Sequence, residues 1–227
     1  MTTGTGKGPR TRQAEGKTPV GSPRSLIVTV GIVVLLIAAI ALANGGWQGD
    51  NSGPESHSGT TDGKPAPYGH TRAGAKAAAK EYATRLGSDR MYRPQDRHEI
   101  LQEIVDPQVR GKRIAEFDSA YTSQFLAKIG LDKQGRAPHG MEFVSRTMPA
   151  STDITTWTPD KAQVDVWCSG IFGLKGDGPK KEIPVENGWF TMTLSVRWTD
   201  DGWKLSKSEQ TDGPDPSDPQ APTPDQQ

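Results

Sequence analysis

The stretch 189–205, WFTMTLSVRWTDDGWKL, decides the fold of the C-terminal half of this chain. Along 189–198 the more and the less apolar side chains alternate with a period of two, which predicts a β-strand with one buried face. Asp201-Gly202 then lies between Trp198 and Trp203, a spacing typical of a tight hairpin. We therefore expect two antiparallel strands with these two tryptophans paired across the turn.

Similar patterns extend the predicted sheet toward the N-terminus. Segment 161–172 alternates in the same way, with Cys168 among its apolar positions. Pro159-Asp160 is a turn signal that joins this strand to another at 153–157. An earlier candidate strand covers 142–148. The second half of the domain is therefore predicted to be an antiparallel sheet.

The preceding segment has the period of helices. The first predicted helix is capped by Thr71 and ends at Gly87, the second begins near Pro94, and the third runs over 107–129. Helices followed by antiparallel strands indicate an α+β domain over residues 71–210. We expect about three helices packed on a curved sheet, which gives a cone-like domain with a cavity that is either filled or open.

Ahead of this domain, Leu26–Ala43 contains eighteen residues without charge or proline. Ile32 and Leu36 lie near the middle of this run. A helix of this length covers roughly 27 Å, close to the ~30 Å hydrocarbon core of a bilayer. The run therefore predicts a transmembrane helix, and Trp47 is placed to anchor its outer end at the membrane interface.

The charges beside this run predict its orientation. Residues 1–25 form a basic, disordered tail with five Lys or Arg and one acid, which places the N-terminus in the cytoplasm. Residues 44–70 then read as a flexible linker, and 211–227 as a disordered, acidic, proline-rich tail. A cleaved signal peptide is the alternative, since Ala41-Leu42-Ala43 resembles a cleavage site. Both interpretations place the α+β domain outside the cytoplasm.

Composition narrows the classes of function. The chain has a formal net charge of +0, and no extended basic stripe follows residue 43, so we expect no contact between the exported domain and nucleic acid. Cys168 is the one cysteine, which excludes an intrachain disulfide. Its place in an alternating apolar pattern favours a small buried side chain over a reactive thiol or an interchain disulfide.

Candidate catalytic and metal-binding residues are few. The four histidines show no ligand spacing, and no nucleophile motif is present. An acid or base in the cone cavity is the catalytic alternative, for which Asp118, Asp153 and Asp165 are candidates, although solvated carboxylates are the simpler interpretation. We therefore expect no enzymatic activity, no cofactor and no metal.

The sheet half of the sequence contains five tryptophans. Trp167 and Trp189 fall on the more polar faces of their predicted strands. Because exposed tryptophan is enriched at protein interfaces, both are candidate interface residues. The alternative is that a loop or the linker covers this face of the sheet.

Three motifs resemble a family of membrane-anchored proteins from Streptomyces-type actinobacteria. They are Tyr68-Gly-His-Thr-Arg-Ala-Gly-Ala75 with the alanine-rich helix after it, Gly140-Met-Glu-Phe-Val-Ser-Arg146, and Asp201-Gly-Trp-Lys-Leu205. The resemblance covers roughly residues 24–210. It implies an exported domain with the nuclear-transport-factor-like cone fold, similar to bitopic scaffold proteins of type IV secretion and Gram-positive conjugation. It supplies no catalytic residues.

Together these observations predict a single-pass membrane protein whose outer domain is an assembly module. The expected partners are the bilayer, other subunits of a conjugative DNA-transfer or secretion complex, and further copies of the chain. The alternative is an extracytoplasmic protein that binds a small apolar ligand, a lipid or a cell-wall fragment in the cone cavity.

Overall fold

The structure is a computed structural model that describes residues 1–2 and 68–217. The helices are α1 (Arg72–Leu86), α2 (Pro94–Ile104), α3 (Arg110–Ala120) and α4 (Ser123–Lys128), with a 3₁₀ turn at Asp89–Tyr92. The strands are β1 (Met141–Thr158), β2 (Lys161–Gly176), β3 (Ile183–Thr199) and β4 (Gly202–Asp212). This order of elements confirms the predicted α+β class.

The four strands form one antiparallel sheet in the order β1-β2-β3-β4, so each strand pairs with its neighbour in sequence. Two-residue turns close the β1–β2 and β3–β4 hairpins, as the turn signals predict. Trp198 is paired with Trp203 in the register of β3 and β4, and their ring centroids lie 5.4 Å apart. The predicted cross-strand tryptophan pair is therefore confirmed.

One face of the sheet, here called the inner face, packs against the helices. On β2 this face carries Val164, Val166 and Cys168, all fully buried. Helix α1 lies on it with small side chains, among them Ala75 and Ala79, which allow a close approach of the helix to the strands. Branched or aromatic side chains at these helix positions would hold the two layers farther apart.

Helix α1 begins and ends as its sequence indicates. The Thr71 side chain accepts a hydrogen bond of 3.0 Å from the Gly74 amide, which satisfies one unpaired donor of the first turn. At the other end, Gly87 lies so close to β1 that a Cβ there would be 1.7 Å from Thr147 Oγ1. A residue without a side chain is therefore required where the helix meets the sheet.

Two predicted elements differ from the structure. The helix expected over 107–129 is divided into α3 and α4, because Tyr121 leaves helical geometry and the Thr122 hydroxyl caps a new helix through the Phe125 amide. The strands expected at 142–148 and 153–157 are one strand, β1. Its register shifts near Pro149, and an edge strand tolerates a proline because one side of it has no ladder partner.

The space between helices and sheet at the end distant from Thr71 is filled by five aromatic side chains. The Tyr92 ring lies 4.7 Å from Phe143 and 5.2 Å from Tyr121, measured between centroids, and both contacts are edge to face. Phe125 and Phe172 complete the cluster. The expected cone is thus packed at this end by its own side chains.

The predicted membrane anchor lies outside the described residues. This applies to Leu26, Ile32, Leu36, Ala43 and Trp47, and likewise to His57 in the linker. Within residues 1–2 and 68–217, no helix has both the length and the hydropathy that a bilayer crossing requires.

Candidate interaction surface

The two tryptophans predicted as interface residues lie together on the outer face of the sheet, opposite the helices. Trp167 is paired with Thr191 and Trp189 with Ser169, so the two tryptophans are diagonal neighbours on β2 and β3. Their rings stack with centroids 4.5 Å apart, and both side chains are partly exposed. The strand register thus combines two predicted residues, distant in sequence, into one aromatic surface.

Further apolar side chains are exposed on the two strands that flank β2. Met148, on the neighbouring strand β1, is paired with Ser169 of β2 and is 39% exposed. Val185 lies four residues before Trp189 on β3 and is 46% exposed. Apart from Met1, they are the large hydrophobic residues exposed in the part of the chain that the structure describes. Ile171 lies between them on β2. We name these residues the apolar patch: Met148, Trp167, Ile171, Val185 and Trp189.

The rest of the outer face is polar. Thr193 Oγ1 donates a hydrogen bond of 2.7 Å to Asp165 Oδ1, next to the patch. Farther along β3, Arg197 forms two hydrogen bonds of 2.6 and 2.7 Å with the Asp106 carboxylate. The outer face is therefore divided into a polar half near the β3–β4 turn and a mixed half toward the opposite end of the sheet, where the apolar patch lies beside Arg146 and Asn187.

A short segment after β4 covers part of the patch. The Gly213 amide donates a hydrogen bond of 2.8 Å to the Trp189 carbonyl, and Trp167 Nε1 donates one of 2.9 Å to the Pro214 carbonyl. Thr191 Oγ1 adds a third of 3.1 Å to the Gly213 carbonyl. The segment thus stays beside β3 at the end of β4, where the side chains of Trp167 and Thr191 reach it over the outer face.

The three aspartates considered as catalytic candidates do not lie together in one site. Asp165 pairs with Thr193, and Asp153 lies 3.6 Å from Lys76 Nζ on the surface. Asp118 on α3 accepts hydrogen bonds from Arg97 and from His98 at 2.7 and 2.8 Å. Burial alone would raise the pKa of Asp118, but these donors and their charges lower it below its usual value. Asp118 is therefore an ionised acceptor that joins α2 to α3.

The histidines in the part of the chain that the structure describes also lie apart from one another. His70 stacks on Trp198 with centroids 4.2 Å apart and contacts Asp160 at 3.2 Å, while His98 faces Asp118. His139 is exposed in the turn before β1. Among residues 1–2 and 68–217, no group of three His, Cys, Asp or Glu side chains is arranged to hold a metal ion.

An open groove of about 650 Å³ follows the free edge of β1. Its walls are the strand from Glu142 to Pro149 on one side, and Thr84, Ser88 and Asp89 at the end of α1 on the other. The volume is in the range of small-molecule sites. Its lining is mixed, with Glu142 and Arg146 beside apolar residues, and Asp89 is engaged by Arg93 at 2.7 Å.

Sequence reasoning found the two tryptophans but missed the other components of the surface. Met148 and Val185 gave no signal, because a single apolar residue on an exposed strand face is ordinary. The role of Gly213-Pro214 also gave no signal, since the acidic, proline-rich composition of this region is typical of a disordered tail.

No protein-family model matches the sequence, and no curated protein is similar to it. Among solved structures, the fold is similar to an IcmL-like type IV secretion system protein from Legionella pneumophila, with 13% identity, a TM-score of 0.44, and coverage of 64% of this chain and 96% of that chain. It is similar to CagV, a VirB8 homolog of Helicobacter pylori, with 10% identity, a TM-score of 0.40, and coverage of 61% and 97%. It is also similar to the intermembrane space region of the chloroplast protein ARC6, with 16% identity, a TM-score of 0.38, and coverage of 61% and 95%.

Proposed function

We propose that this protein is a single-pass, membrane-anchored assembly component of a conjugative DNA-transfer or secretion machinery. Its domain acts outside the cytoplasm by binding other subunits through the outer face of the sheet. The observation that carries this proposal is the apolar patch, which combines the stacked pair of Trp167 and Trp189 with the exposed side chains of Met148 and Val185.

An apolar patch on a sheet needs a physical reason. In an antiparallel sheet that packs on helices through one face, the other face is normally polar. Here Asp165, Thr193 and Arg197 show that part of the outer face follows this rule. Tryptophan and methionine are enriched at protein interfaces, where burial removes their surface from water and stabilises the complex. A protein partner is therefore the occupant that fits this chemistry best.

The position of the patch suits a tethered domain. The chain enters the domain at Tyr68, whose hydroxyl donates a 2.5 Å hydrogen bond to Glu81 on α1. Two residues later, His70 packs beside the β1–β2 turn. Trp167 is six residues from Lys161 at that turn, which corresponds to about 20 Å along a strand. A linker anchored in the membrane would hold the polar half nearer the tether and the apolar patch away from it.

Two sequence features support the location and the machinery. The uncharged run Leu26–Ala43 with basic residues before it is the pattern of an anchor whose N-terminus is cytoplasmic. The motifs at 68–75, 140–146 and 201–205 resemble the actinobacterial conjugation-associated family, which supports a role in DNA transfer or secretion.

A photo-crosslinking amino acid placed in the full-length protein tests the assembly role in cells that carry the native transfer or secretion genes. The probe replaces Met148 in the patch or, as a matched control, Ala115, which is exposed on α3. We expect irradiation to attach Met148-probe protein to another subunit of that machinery at a yield at least fivefold above the Ala115 control. Equal yields at both positions would contradict the proposal.

Cysteine labelling tests the membrane topology. The native Cys168 is buried, so it should not react with the label. A cysteine at Ser123, which is exposed at the start of α4, and one at Ser25 before the anchor are compared in intact cells. A maleimide that cannot cross membranes should label Ser123→Cys and leave Ser25→Cys unlabelled until the cells are opened. Labelling of Ser25→Cys in intact cells would show that the orientation is wrong.

The groove along β1 favours one alternative, the binding of a small ligand or a cell-wall fragment. Mass spectrometry under native conditions, on protein purified from its own membrane, tests this function. A bound molecule that is lost from a Thr84→Trp variant, which places a bulky side chain on the α1 wall of the groove, would support the ligand-binding role. A wild-type protein without a bound molecule, together with crosslinks from Met148, supports the assembly role alone.

A further inference from the structure

The free edge of β1 is open over the first part of the strand. β1 is the first strand in the sheet order, so β2 pairs with one of its sides and no strand pairs with the other. Among the described residues, β2 is the segment that forms hydrogen bonds with the backbone of 142–148. The groove of about 650 Å³ lies along this stretch. A row of unpaired N–H and C=O groups is a template for one more strand.

The remainder of this edge is protected. Lys76 on α1 lies 3.6 Å from the carboxylate of Asp153 on the outer face, so its side chain crosses the edge at that point. Pro149 has no N–H to offer, and the register shift beside it interrupts the edge. Before Pro149, the α1 wall of the groove carries the short side chains of Thr84 and Ser88. The open stretch is therefore confined to the beginning of β1.

Two charges of opposite sign lie on the open stretch. Glu142 and Arg146 are both exposed on the outer face, where their register partners on β2 are Lys175 and Ile171. Within the part of the chain that the structure describes, neither has an oppositely charged group within 4.0 Å. Four residues, about 13 Å along a strand, separate them, and they do not meet in one chain.

A two-fold axis at Val144 brings these charges together. If β1 pairs antiparallel with β1 of a second copy about this axis, Glu142 lies opposite Arg146 of the second copy, and Arg146 lies opposite Glu142 of the second copy. Side chains directly opposite each other have Cβ atoms about 5 Å apart, which is within reach of an ion pair. An axis at Glu142 or at Arg146 would instead oppose like charges. Charge complementarity therefore favours the register centred on Val144.

The same register satisfies the backbone and keeps the two cores intact. It pairs residues 141–147 with the same segment of the second copy, which adds about seven backbone hydrogen bonds, one for each residue pair. Val144 meets its own counterpart on the axis. Opposite side chains lie on the same face of the sheet, so both inner faces remain covered by their own helices.

We propose that two copies of this chain join their β1 edges in this register and form one continuous antiparallel sheet, with four strands from each copy. The contact uses the same segment of both copies, as is usual for two-fold dimers. This inference goes beyond the proposed function, because it uses the edge of the sheet rather than the apolar patch. Its consequence for assembly is that both outer faces point to the same side, so another subunit meets two apolar patches.

Crosslinking between copies tests the pairing in the purified full-length protein in detergent. Val144→Cys places a thiol on the axis, and Thr155→Cys, exposed on the same strand about 36 Å away, is the matched control. A short bismaleimide joins cysteines that lie close together, and the buried Cys168 should not react. We expect a covalent dimer from Val144→Cys at a yield at least tenfold above that from Thr155→Cys. Equal yields would overturn the inference.

An exchange of charges tests the register. In the Val144→Cys protein, Arg146→Glu opposes acids across the axis and Glu142→Arg opposes cations, so each variant alone should give at least fivefold less dimer. A mixture of the two variants, on copies with tags of different size, restores both ion pairs. We expect the mixed dimer to return to at least half of the unsubstituted yield.

Near-ultraviolet circular dichroism equal to that of the parent shows that each variant is folded before mixing. Yields that neither substitution changes, or a mixture of folded variants without recovery, would refute the pairing at Val144. Because the purified protein contains no other subunit, this result is independent of the capture of partners from Met148. Failure of the dimer and failure of the assembly role are therefore distinguishable.

Discussion

Asp106 and Arg197 form a bidentate ion pair, 2.6 and 2.7 Å between carboxylate and guanidinium, that joins the helical layer to β3. The carboxylate lies just after α2 and is nearly buried, while the guanidinium lies on the third strand and is 28% exposed. The Asp106 amide also donates to the Leu205 carbonyl at 3.0 Å, next to a β-bridge between Val105 and Leu205. The start of β4 is therefore covered along its outer edge by the segment between α2 and α3.

Removal of one partner of this pair should destabilise the domain. For Asp106→Asn we expect the free energy of unfolding to fall by roughly 2–3 kcal/mol, less than for a fully buried pair because water reaches Arg197. Urea denaturation measures this change. Glu209→Gln, which breaks the pair between the partly exposed side chains of Lys207 and Glu209, is the matched control and should cost less than about 0.5 kcal/mol. Equal losses would show that the Asp106 pair has no special role.

Acid should weaken the same connection. Burial alone would raise the pKa of Asp106, but the hydrogen bonds from Arg197 and from the Gln108 amide lower it, and that of Asp118 is also lowered. A pKa lowered by folding contributes stability that is complete above the ordinary carboxyl pKa of about 3.9 and is lost as the pH falls through the folded value. We therefore expect the free energy of unfolding to decrease below about pH 4.

The pH dependence can be assigned by substitution. Asp106→Asn/Asp118→Asn should be less stable than the wild type at neutral pH and should show a smaller further loss between pH 5 and pH 2. The measurement is urea denaturation at a series of pH values. Parallel curves for the two proteins would show that other carboxyl groups control acid unfolding.

His70 should fix the entry of the chain into the domain. It stacks on Trp198 and its Nε2 lies 2.7 Å from the Pro159 carbonyl, at the turn between β1 and β2. We expect His70→Ala to lower the free energy of unfolding by about 1 kcal/mol and to speed proteolysis near Tyr68. His139→Ala, at an exposed turn, is the control and should change neither quantity. Unaltered proteolysis in His70→Ala would argue against this anchor.

Two helical glycines should respond in opposite directions to alanine. A Cβ at Gly74 in α1 would lie 1.9 Å from the Gly69 carbonyl oxygen, whereas one at Gly111 in α3 would meet nothing within 4 Å. We expect Gly74→Ala to destabilise the domain by about 1–3 kcal/mol. Gly111→Ala should stabilise it by about 0.5–1 kcal/mol, because alanine restricts the unfolded chain. Thermal unfolding compares the two, and a shared sign would contradict the structure.

Cys168 should be chemically silent while the domain is folded. Its side chain is fully buried on the inner face, and burial raises the pKa of the thiol to about 12. Because the thiolate is the reactive form, a disulfide reagent at pH 8 should modify the folded protein at least a hundredfold more slowly than the protein in urea. Rapid reaction of the folded protein would place Cys168 on an accessible surface.

Local patterns predicted the elements whose cause is local. The alternation over 189–198, the hairpin signal at Asp201-Gly202 and the Thr71 cap each correspond to an observed element. The break in the third predicted helix also has a local cause in Thr122, but a threonine within a helical pattern is not by itself a sufficient signal. The continuity of β1 through Pro149 depends on its place at the sheet edge, which the sequence does not state.

The candidate surface also combines features that depend on local sequence with features that depend on strand pairing. The period of two placed Trp167 and Trp189 on the more polar faces of their strands, because successive side chains of a strand point to opposite sides. Their contact depends on the register between β2 and β3. The proximity of Met148 depends on the register between β1 and β2, and register is a property of paired strands rather than of either one.

The amino-acid sequence by itself determined the α+β class, the alternation of the strands, the first helix start and the apolar run at Leu26–Ala43, because each depends on neighbours a few residues apart. Only the tertiary structure decided that Asp106 meets Arg197, that an apolar patch forms on one half of the outer face, and that Pro214 lies against Trp167. These contacts join residues 47 to 91 positions apart, and such distances in sequence are closed only when sheet pairing and helix packing bring the segments together.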